Sequence, residues 1–329
     1  MTTASEMTCI EISKPGGPDV LVPKTRPKPK AGLGEVVIKV VAAGVNGPDL
    51  MQRKGLYPPP EGASDLLGLE VAGTVSEVGD GVSSWSVGDP ICGLTNGGGY
   101  AEFVAVNASH CLPIPAGLNA VAAASLPETY FTIWSNIFMT AGLSADEVYL
   151  VHGGAGGLGT TSIQLAKAFG ATVVATDTPA ERCNICSELG ADRVIDYNED
   201  DFVNVIRKEF GGAQVILDIV GGPYIERNIK AARHDARIVQ LAFALGSKVE
   251  VNLMPVMLKR LTYTGSTLRS RHDAYKSKVA KELWDKVWPL FADSTLQPVV
   301  NSVLPLNQAP EAHLLMECAG HTGKIVLTT

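Results

Sequence analysis

The stretch EVYLVHGGAGGLGTTSIQLAKAFG, residues 147–170, decides the fold, because a short apolar run passes through clustered glycines into a helical pattern. Gly154, Gly156 and Gly159 match the spacing GxGxxG. The first glycine permits a tight turn, the second lets backbone N–H groups approach a pyrophosphate, and the third lets the helix pack on the strand. The positive end of the helix dipole favours phosphates there. The stretch therefore predicts a dinucleotide-binding site.

The alternation of buried strands and helices continues after this glycine loop. Further strands are predicted at ATVVATD, RVID, QVILDIVGG, ARIVQLA and LTYTGSTL, and helices at PAERCNICSELG, DDFVNVIRKEFG and GPYIERNIKAAR. Continuous apolar strands separated by helices are typical of a parallel sheet covered on both faces. The fold class is therefore α/β, with a doubly wound Rossmann domain.

The flanking segments have a different texture. The first third of the chain has short apolar runs broken by Gly and Pro, which predicts a compact, β-rich, antiparallel, barrel-like domain. After the predicted Rossmann strands, VVNSVLPL, QAPEAHLLMECAG and GKIVLTT predict a strand, a helix and a strand. We infer that the chain leaves the first domain and later returns to it. The predicted boundaries assign residues 1–126 and 296–329 to the β-rich domain and residues 127–295 to the Rossmann domain.

Composition limits the class of partner. The 329 residues suffice for two domains, and the net charge of −7 argues against a nucleic acid or an anionic membrane. Neither a signal peptide nor an apolar stretch of about 20 residues is evident, which predicts a cytoplasmic protein with a small-molecule partner. The six cysteines are too sparse for a disulfide framework, and Cys183 and Cys186 lack the second pair that a zinc finger needs.

Several segments in order carry a resemblance to a known family. They include AAGVNGPDLMQRKGLYPPPEGASDLLGLEVAGTVSEVG, ETYFTIWSN, VHGGAGGLGT, VILDIVGG, GSTLRSR and GHTGKIVL. The chain resembles the medium-chain dehydrogenases/reductases, within them the zinc-free quinone oxidoreductases, and most closely the tumour-suppressor-inducible quinone oxidoreductase branch. The resemblance implies a GroES-like catalytic domain beside the Rossmann domain, and a homodimer or homotetramer.

The zinc-dependent alcohol dehydrogenases of this superfamily carry a cysteine and a histidine where this chain has Asn46 and Leu69. Neither residue replaces a zinc ligand, so no metal is expected. Without a Lewis acid, oxidation of an alcohol is difficult, whereas an electrophilic acceptor accepts hydride readily. The resemblance therefore implies an NAD(P)H:quinone oxidoreductase.

Asn46 and Tyr57 are the candidate catalytic residues. An amide at Asn46 can orient the nicotinamide and donate to a carbonyl oxygen, although an Asn before Gly47 can also serve only to stabilise a turn. Tyr57 matches a tyrosine of the family that can donate its phenolic proton, or it only shapes the pocket.

The resemblance and the glycine loop together indicate a set of cofactor-binding residues. Thr129 and Thr132 would run beside the nicotinamide, or cap a helix, and Arg269 follows the last Rossmann strand, where a solvated basic turn is the alternative. The complete predicted set is Thr129, Thr132, Gly154, Ala155, Gly156, Gly157, Leu158, Gly159, Asp177, Arg182, Tyr197, Phe243 and Arg269.

Asp177 and Arg182 make opposite predictions about the adenosine ribose. An acid at the end of the second Rossmann strand accepts hydrogen bonds from free ribose hydroxyls, which favours NADH. Arg182 matches the basic position of the family and can bind a 2′-phosphate, but Thr178 and Pro179 replace the usual Gly-Ser. The resemblance favours NADPH, while Asp177 leaves NADH possible.

Two other functions stay open at this point. An enone or alkenal double-bond reductase would use the same cofactor and differ only in its acceptor pocket. A dinucleotide-binding protein with a structural or RNA-binding role would show little turnover, although the acidic composition counts against RNA binding.

Overall fold

The computed structural model describes residues 5–318 and 320–329. Their strands, in chain order, are β1 (Glu6–Ile12), β2 (Leu21–Pro27), β3 (Glu35–Val45), β4 (Glu70–Val78), β5 (Pro90–Leu94), β6 (Phe103–Asn107), β7 (Cys111–Pro113), β8 (Val148–His152), β9 (Thr172–Asp177), β10 (Arg193–Asp196), β11 (Ala213–Asp218), β12 (Ala232–Gln240), β13 (Thr262–Gly265), β14 (Val300–Pro305) and β15 (Lys324–Thr328).

The α-helices are α1 (Gly47–Arg53), α2 (Ala120–Ala123), α3 (Pro127–Ile133), α4 (Gly157–Ala168), α5 (Ala180–Glu188), α6 (Phe202–Phe210), α7 (Tyr224–Ala231), α8 (Met254–Leu258), α9 (Asp273–Lys286) and α10 (Ala309–Glu317). A π-helical segment, Trp134–Thr140, follows α3, and short 3₁₀ turns lie at Pro18–Val20, Ala108–His110, Trp288–Phe291 and Leu306–Gln308. Within the described part of the chain, every helix is too short or too polar to cross a membrane.

Packing divides the chain into two compact units. The first unit holds residues 1–131 and 268–329, and the second holds residues 132–267. The predicted boundaries differ from this division for residues 127–131 and 268–295. The difference arises because α9 packs against β7 and against the turns Ala108–His110 and Trp288–Phe291, and the amphipathic pattern of a helix does not say which core it covers.

The second unit is the predicted Rossmann domain. Its sheet has the strand order β10-β9-β8-β11-β12-β13, with parallel pairing throughout. Because helices cover both faces, the central strands are largely apolar, as at Leu150, Ile216 and Ile238, which are completely buried. The predicted strands and the doubly wound fold class are confirmed.

Strand order places the ends of β8 and β9 side by side. His152 pairs with Thr176 in the parallel register, so the glycine loop and Asp177 both emerge at the carboxyl edge of the sheet. The strand order reverses beside β8, and ligands of such sheets bind outside the carboxyl ends at this reversal. The fold therefore positions residues 153–159 and Asp177 for a nucleotide.

The first unit is the predicted β-rich domain. Its main sheet has the order β14-β15-β3-β4-β5-β7, and β6 also pairs with β3. Most neighbours are antiparallel, as Gly and Pro punctuation predicted, while β14 and β15 are parallel. Apolar side chains such as Ile38, Val71 and Ile325 fill its core. The return of the chain through β15 completes the sheet beside β3.

Candidate active site

The glycine loop has the geometry that its spacing predicted. A Cβ atom at Gly159 would lie 2.2 Å from the carbonyl oxygen of Gly153, and one at Gly154 would lie 2.7 Å from Sγ of Cys186. These two positions therefore require glycine for close packing of α4 and α5 on the loop. At Gly156 the nearest atom to an added Cβ would be 3.4 Å away, so that side of the loop leaves room for a ligand to approach the backbone.

The start of α4 offers donors for an anion. The helix has 12 residues and begins at Gly157, so the N–H groups of Gly157, Leu158 and Gly159 in its first turn have no carbonyl acceptor within the helix. Its dipole adds positive charge there. The N–H of Ala155 donates instead to Oδ2 of Asp177, at 2.7 Å. The N–H groups in the first turn of α4 are therefore suited to bind a pyrophosphate.

Asp177 and Arg182 bind each other. Nε of Arg182 donates to Oδ1 at 2.7 Å and its second amino group donates to Oδ2 at 3.2 Å. Oδ1 also accepts the N–H of Thr178, and Oδ2 that of Ala155. A carboxylate has about four acceptor positions, so protein donors fill those of Asp177. The pair is largely buried, since only 4% of the Asp177 side chain and 15% of the Arg182 side chain are exposed.

Other predicted cofactor residues of the second unit lie partly at its surface. Tyr197 is 42% exposed, and its backbone N–H donates to the carbonyl of Asp177 at 3.3 Å. Phe243 is 46% exposed and lies beside Gly221, in the loop between β11 and α7. Thr132 is half-buried. Tyr197 is thus adjacent to the carboxyl end of β9, where Asp177 lies.

Asn46 is held on every side. Its Nδ2 donates to Oε1 of Glu70 at 2.9 Å and, over 3.4 Å, to the carbonyl of Gly44, and its Oδ1 accepts a hydrogen bond from the ammonium of Lys324. Because a carboxylate only accepts and an ammonium only donates, these partners fix the orientation of the amide. The side chain of Asn46 therefore has little donor capacity left for a substrate carbonyl.

Lys324, which is absent from the predicted set of site residues, is the cation of this cluster. Its Nζ lies 2.6 Å from Oε1 of Glu70 and also donates to the carbonyl of Val45 at 3.2 Å. Lys324 is 6% exposed and Glu70 is completely buried. A lysine is rarely buried unless paired, but its partner is 254 positions away in sequence. No local signal could have revealed the pair.

The residues around Asn46 do not fit a zinc ion. Neither the amide nor Leu69 is a zinc ligand, and an ammonium group lies against the oxygens of Asn46 and Glu70 where it would repel a divalent cation. Among residues 5–318 and 320–329, no group of three His, Cys, Asp or Glu side chains could hold a metal.

Asp49 positions the backbone of Asn46. Its Oδ2 accepts the N–H of Asn46 and its Oδ1 that of Gly68, each at 2.9 Å, so α1 begins with a capping box. Burial raises the pKa of Asp49 to about 6. Tyr100 also donates to Asp49, at 3.5 Å, and its hydroxyl lies 3.0 Å from Nε2 of His313.

His313 connects this site to Arg53, which is completely buried. A guanidinium only donates, so Nδ1 of His313 accepts from Arg53, at 3.1 Å, and Nε2 carries the proton that reaches Tyr100. Burial, with the charge of Arg53, lowers the pKa of His313 to about 3. The histidine is a neutral link in a structural network.

Tyr57 and Arg269 lie together in the first unit. The guanidinium of Arg269 is 5.6 Å from the centre of the Tyr57 ring, and its Nε and one amino group donate to the carbonyl of Asn96 at 2.9 and 2.6 Å. Arg269 is only 7% exposed, so the alternative of a solvated basic turn is wrong. Its other amino group, NH1, has no hydrogen-bond partner among the described residues.

Two further residues are committed to the protein interior. The hydroxyl of Thr129 donates back to the carbonyls of Leu126 and Ser125, at 3.3 and 3.4 Å, across the start of α3. His152, at the end of β8, bonds through both ring nitrogens to Thr176 and Asn228. Burial lowers the pKa of His152, and it is a satisfied core histidine.

Comparison with known proteins identifies the family. Residues 32–116 match the family described as alcohol dehydrogenase GroES-like domain, and residues 157–285 match zinc-binding dehydrogenase. Quinone oxidoreductase of Mus musculus is 31% identical over 333 residues, which cover 98% of this chain and 97% of that protein. The chain belongs to the quinone oxidoreductase family of the medium-chain dehydrogenases/reductases. It is an oxidoreductase of that superfamily.

Solved structures support the family membership. Quinone oxidoreductase of Escherichia coli, complexed with NADPH, is 28% identical with a TM-score of 0.87, covering 98% of this chain and all of that chain. CurK enoyl reductase is 26% identical with a TM-score of 0.86, covering 98% and 99%. Polyketide synthase GfsB of Streptomyces halstedii is 31% identical over 97% of this chain, which spans only 6% of that synthase.

Replacing Lys324 with Met will destabilise the first unit. The change leaves the Glu70 carboxylate buried without its cation, which costs about 3–5 kcal/mol in the free energy of unfolding. Urea-induced unfolding followed by circular dichroism measures the loss. The control is Lys39→Met at an exposed position of β3, which should change stability by no more than about 0.5 kcal/mol.

The double variant Lys324→Met/Glu70→Gln should recover part of this stability, because a neutral amide needs no counter-charge. A loss below about 1 kcal/mol for Lys324→Met would contradict the importance of the buried pair.

Proposed function

We propose that this protein reduces quinones by hydride transfer from NADPH, without zinc. The observation that carries the proposal is the cluster of Asn46, Glu70 and Lys324, whose donors and charges do not suit a zinc ion. A site without a Lewis acid stabilises the alkoxide of an alcohol poorly, whereas a quinone is already electrophilic. Family membership, with quinone oxidoreductases at 31% identity over nearly the whole chain, supports the same acceptor.

The Asp177–Arg182 pair supports NADPH over NADH. A free carboxylate at this position would accept the ribose hydroxyls and repel a 2′-phosphate. Here Arg182 neutralises the carboxylate and two backbone N–H groups occupy it further. The Escherichia coli relative was solved with NADPH. The local charge therefore no longer opposes a phosphate.

Residues of both units would have roles in this reaction. The bound dinucleotide would supply the hydride. The first turn of α4 would bind the pyrophosphate, and Arg182 with Tyr197 would bind the ribose phosphate. In the first unit, burial raises the pKa of Tyr57, so its phenol keeps its proton and can donate a hydrogen bond to a carbonyl oxygen. The side chain of Asn46, whose orientation is fixed by Glu70 and Lys324, would line the acceptor site.

An enone reductase is the second candidate, because CurK enoyl reductase has the same fold at a TM-score of 0.86. Both reactions place negative charge on a carbonyl oxygen after hydride addition, so the donor groups of the first unit would serve either acceptor. The third candidate, a dinucleotide-binding protein with a structural or RNA-binding role, would bind NADPH without reducing either class of acceptor.

Steady-state kinetics with purified protein will decide among these functions. We expect NADPH oxidation with a small quinone to have a kcat/KM at least about ten times that with a straight-chain enone. A higher kcat/KM with the enone would favour the double-bond reductase. NADPH binding without turnover of either acceptor would favour the structural or RNA-binding role.

Replacing Arg182 with Ala will change cofactor preference. The change removes a charged hydrogen-bonding group worth about 1.5–3 kcal/mol, so kcat/KM for NADPH should fall about 10- to 100-fold. The value for NADH should be maintained or increase, because the freed Asp177 carboxylate can accept ribose hydroxyls. Kinetics with both cofactors and one quinone measure the ratio.

Arg193→Ala is the matched control, because Arg193 makes its ion pairs with Asp200 and Glu209 at the surface of the same unit. An unchanged NADPH/NADH ratio in Arg182→Ala, or a preference of the unaltered protein for NADH, would contradict the assignment of Arg182.

The second unit exposes an apolar surface that we propose as a homodimer interface. Leu253, Met254, Met257 and Leu258, on and before α8, are each 60–69% exposed. Beside them in the chain, β13 forms an edge of the sheet. Exposed apolar groups and open sheet edges favour association with another chain. The cytoplasmic location stays a prediction.

Met257→Glu should convert a dimer to a monomer, because it places a charge in the buried contact. Size-exclusion chromatography with light scattering measures the mass. Leu33→Glu, at a residue 84% exposed in the first unit, is the control and should remain dimeric. A monomeric unaltered protein, or a dimeric Met257→Glu, would refute this interface.

A further inference from the structure

Glu128 is an uncommitted acid of the first unit. It lies in the first turn of α3, and its backbone N–H donates to Oε2 of Glu70 at 2.9 Å. This bond ties the start of α3 to the Asn46–Glu70–Lys324 cluster. The residue is half-buried, and among the described residues no hydrogen bond or ion pair holds its carboxyl group. The carboxyl group is thus free to act on a ligand.

The surroundings of Glu128 favour its protonated form. Burial, together with the carboxylates of Glu70 and Asp49, raises its pKa to about 8, against the opposing charges of Lys324 and Lys276. A carboxyl group with that pKa carries its proton in most molecules at pH 7. Acids of this kind are suited to proton donation at neutral pH.

A second observation points to an oxygen ligand in the same region. The buried NH1 of Arg269 has no acceptor, although the rest of the guanidinium is held by Asn96. Unsatisfied buried donors are uncommon in proteins, and a charged one is costly. Glu128 is close enough to affect the pKa of both Arg269 and Tyr57. A carbonyl oxygen of an acceptor would supply what Arg269 lacks.

We propose that Glu128 is the proton donor of the reduction and that Arg269 binds the acceptor oxygen that receives the proton. The proposal rests on the proposed reductase function and extends it to the second half of the reaction. It assigns Arg269 to the acceptor rather than to the cofactor. Tyr57, whose ring lies beside Arg269, then orients the acceptor and is not the source of the proton.

The reaction balances with these groups. The acceptor takes a hydride from a reduced nicotinamide dinucleotide, and the displaced electron pair collects on its carbonyl oxygen, where Arg269 stabilises the charge. The O–H bond of Glu128 then breaks as a new O–H bond forms on the acceptor. The products are the hydroquinone or enol, the oxidised dinucleotide and the Glu128 carboxylate. A proton from solvent restores the acid.

The acid predicts a pH dependence with a definite sign. Glu128 must be protonated to donate, so the single-turnover rate should be high below the pKa of about 8 and fall above it. Titratable and charged groups from six segments face Glu128 and influence its pKa. They are Glu70 of β4, Lys324 of β15, Asp49 of α1, Lys276 of α9, Tyr57 in the segment after α1 and Arg269 in the segment after β13.

The test compares Glu128→Gln and Glu128→Asp with the unaltered protein in stopped-flow single turnovers from pH 6 to 10. Glu128→Gln should lower the rate about 100-fold or more and abolish the decline above pH 8, while the dissociation constant for NADPH stays unchanged. Glu128→Asp should retain the decline at a reduced rate. Glu311→Gln, at an exposed position of α10, is the control and should behave as the unaltered protein.

Infrared spectroscopy gives a readout that does not depend on turnover. A protonated carboxyl C=O band that titrates near pH 8 should be present in the unaltered protein and absent in Glu128→Gln. Absence of that band, or a single-turnover rate and pH profile that survive Glu128→Gln, would overturn the role of Glu128. If Glu128→Gln does not fold, an unchanged rate in Glu128→Asp would overturn it. Inactivity of the unaltered protein towards both quinones and enones would overturn the proposed function itself.

Discussion

The buried ion pair between Lys324 and Glu70 is the interaction on which the candidate acceptor site depends. Lys324 comes from the last strand, Glu70 from β4, and the Asn46 amide between them from the end of β3. Glu70 also holds the backbone N–H of Glu128 at the start of α3. Because an unpaired charge is costly at this depth, the pair fixes four segments of backbone together. Gly44 belongs to the same constraint, since a Cβ there would lie 2.0 Å from Oε1 of Glu70.

This constraint determines which side chains remain available for chemistry. The amide of Asn46 and the carboxylate of Glu70 form hydrogen bonds with each other and with Lys324. Asn46, the first catalytic candidate of the sequence, therefore has a fixed side chain. Among the described residues, the carboxyl group of Glu128 and NH1 of Arg269 are two groups near this cluster with unused hydrogen-bonding capacity. The Glu128 carboxyl group can donate a proton, and the Arg269 guanidinium can stabilise negative charge. Both are needed after a hydride adds to a conjugated carbonyl compound.

In the second unit, too, a buried ion pair determines the role of the residues that form it. Asp177 and Arg182 predict different cofactors when each is considered alone, but in the structure they form one largely buried pair. The net charge at the carboxyl end of β9 is then that of the pair and not of either residue alone. Backbone donors from Ala155 and Thr178 complete the acceptor positions of the carboxylate, so the acid is part of the loop structure.

The Rossmann strands, the position of the glycine loop and the β-rich character of the first unit follow from local sequence, because strand periodicity and glycine spacing act over windows of a few residues. Local sequence also places Asp177 at the end of β9. The tertiary structure was needed to show that α9 packs with the first unit, that Lys324 reaches Glu70, that Arg269 lies beside Tyr57, and that the carboxyl group of Glu128 has no hydrogen-bond or ion-pair partner among the described residues. Those relations join residues from distant parts of the chain, and burial and pairing of charge exist only after the sheets have closed.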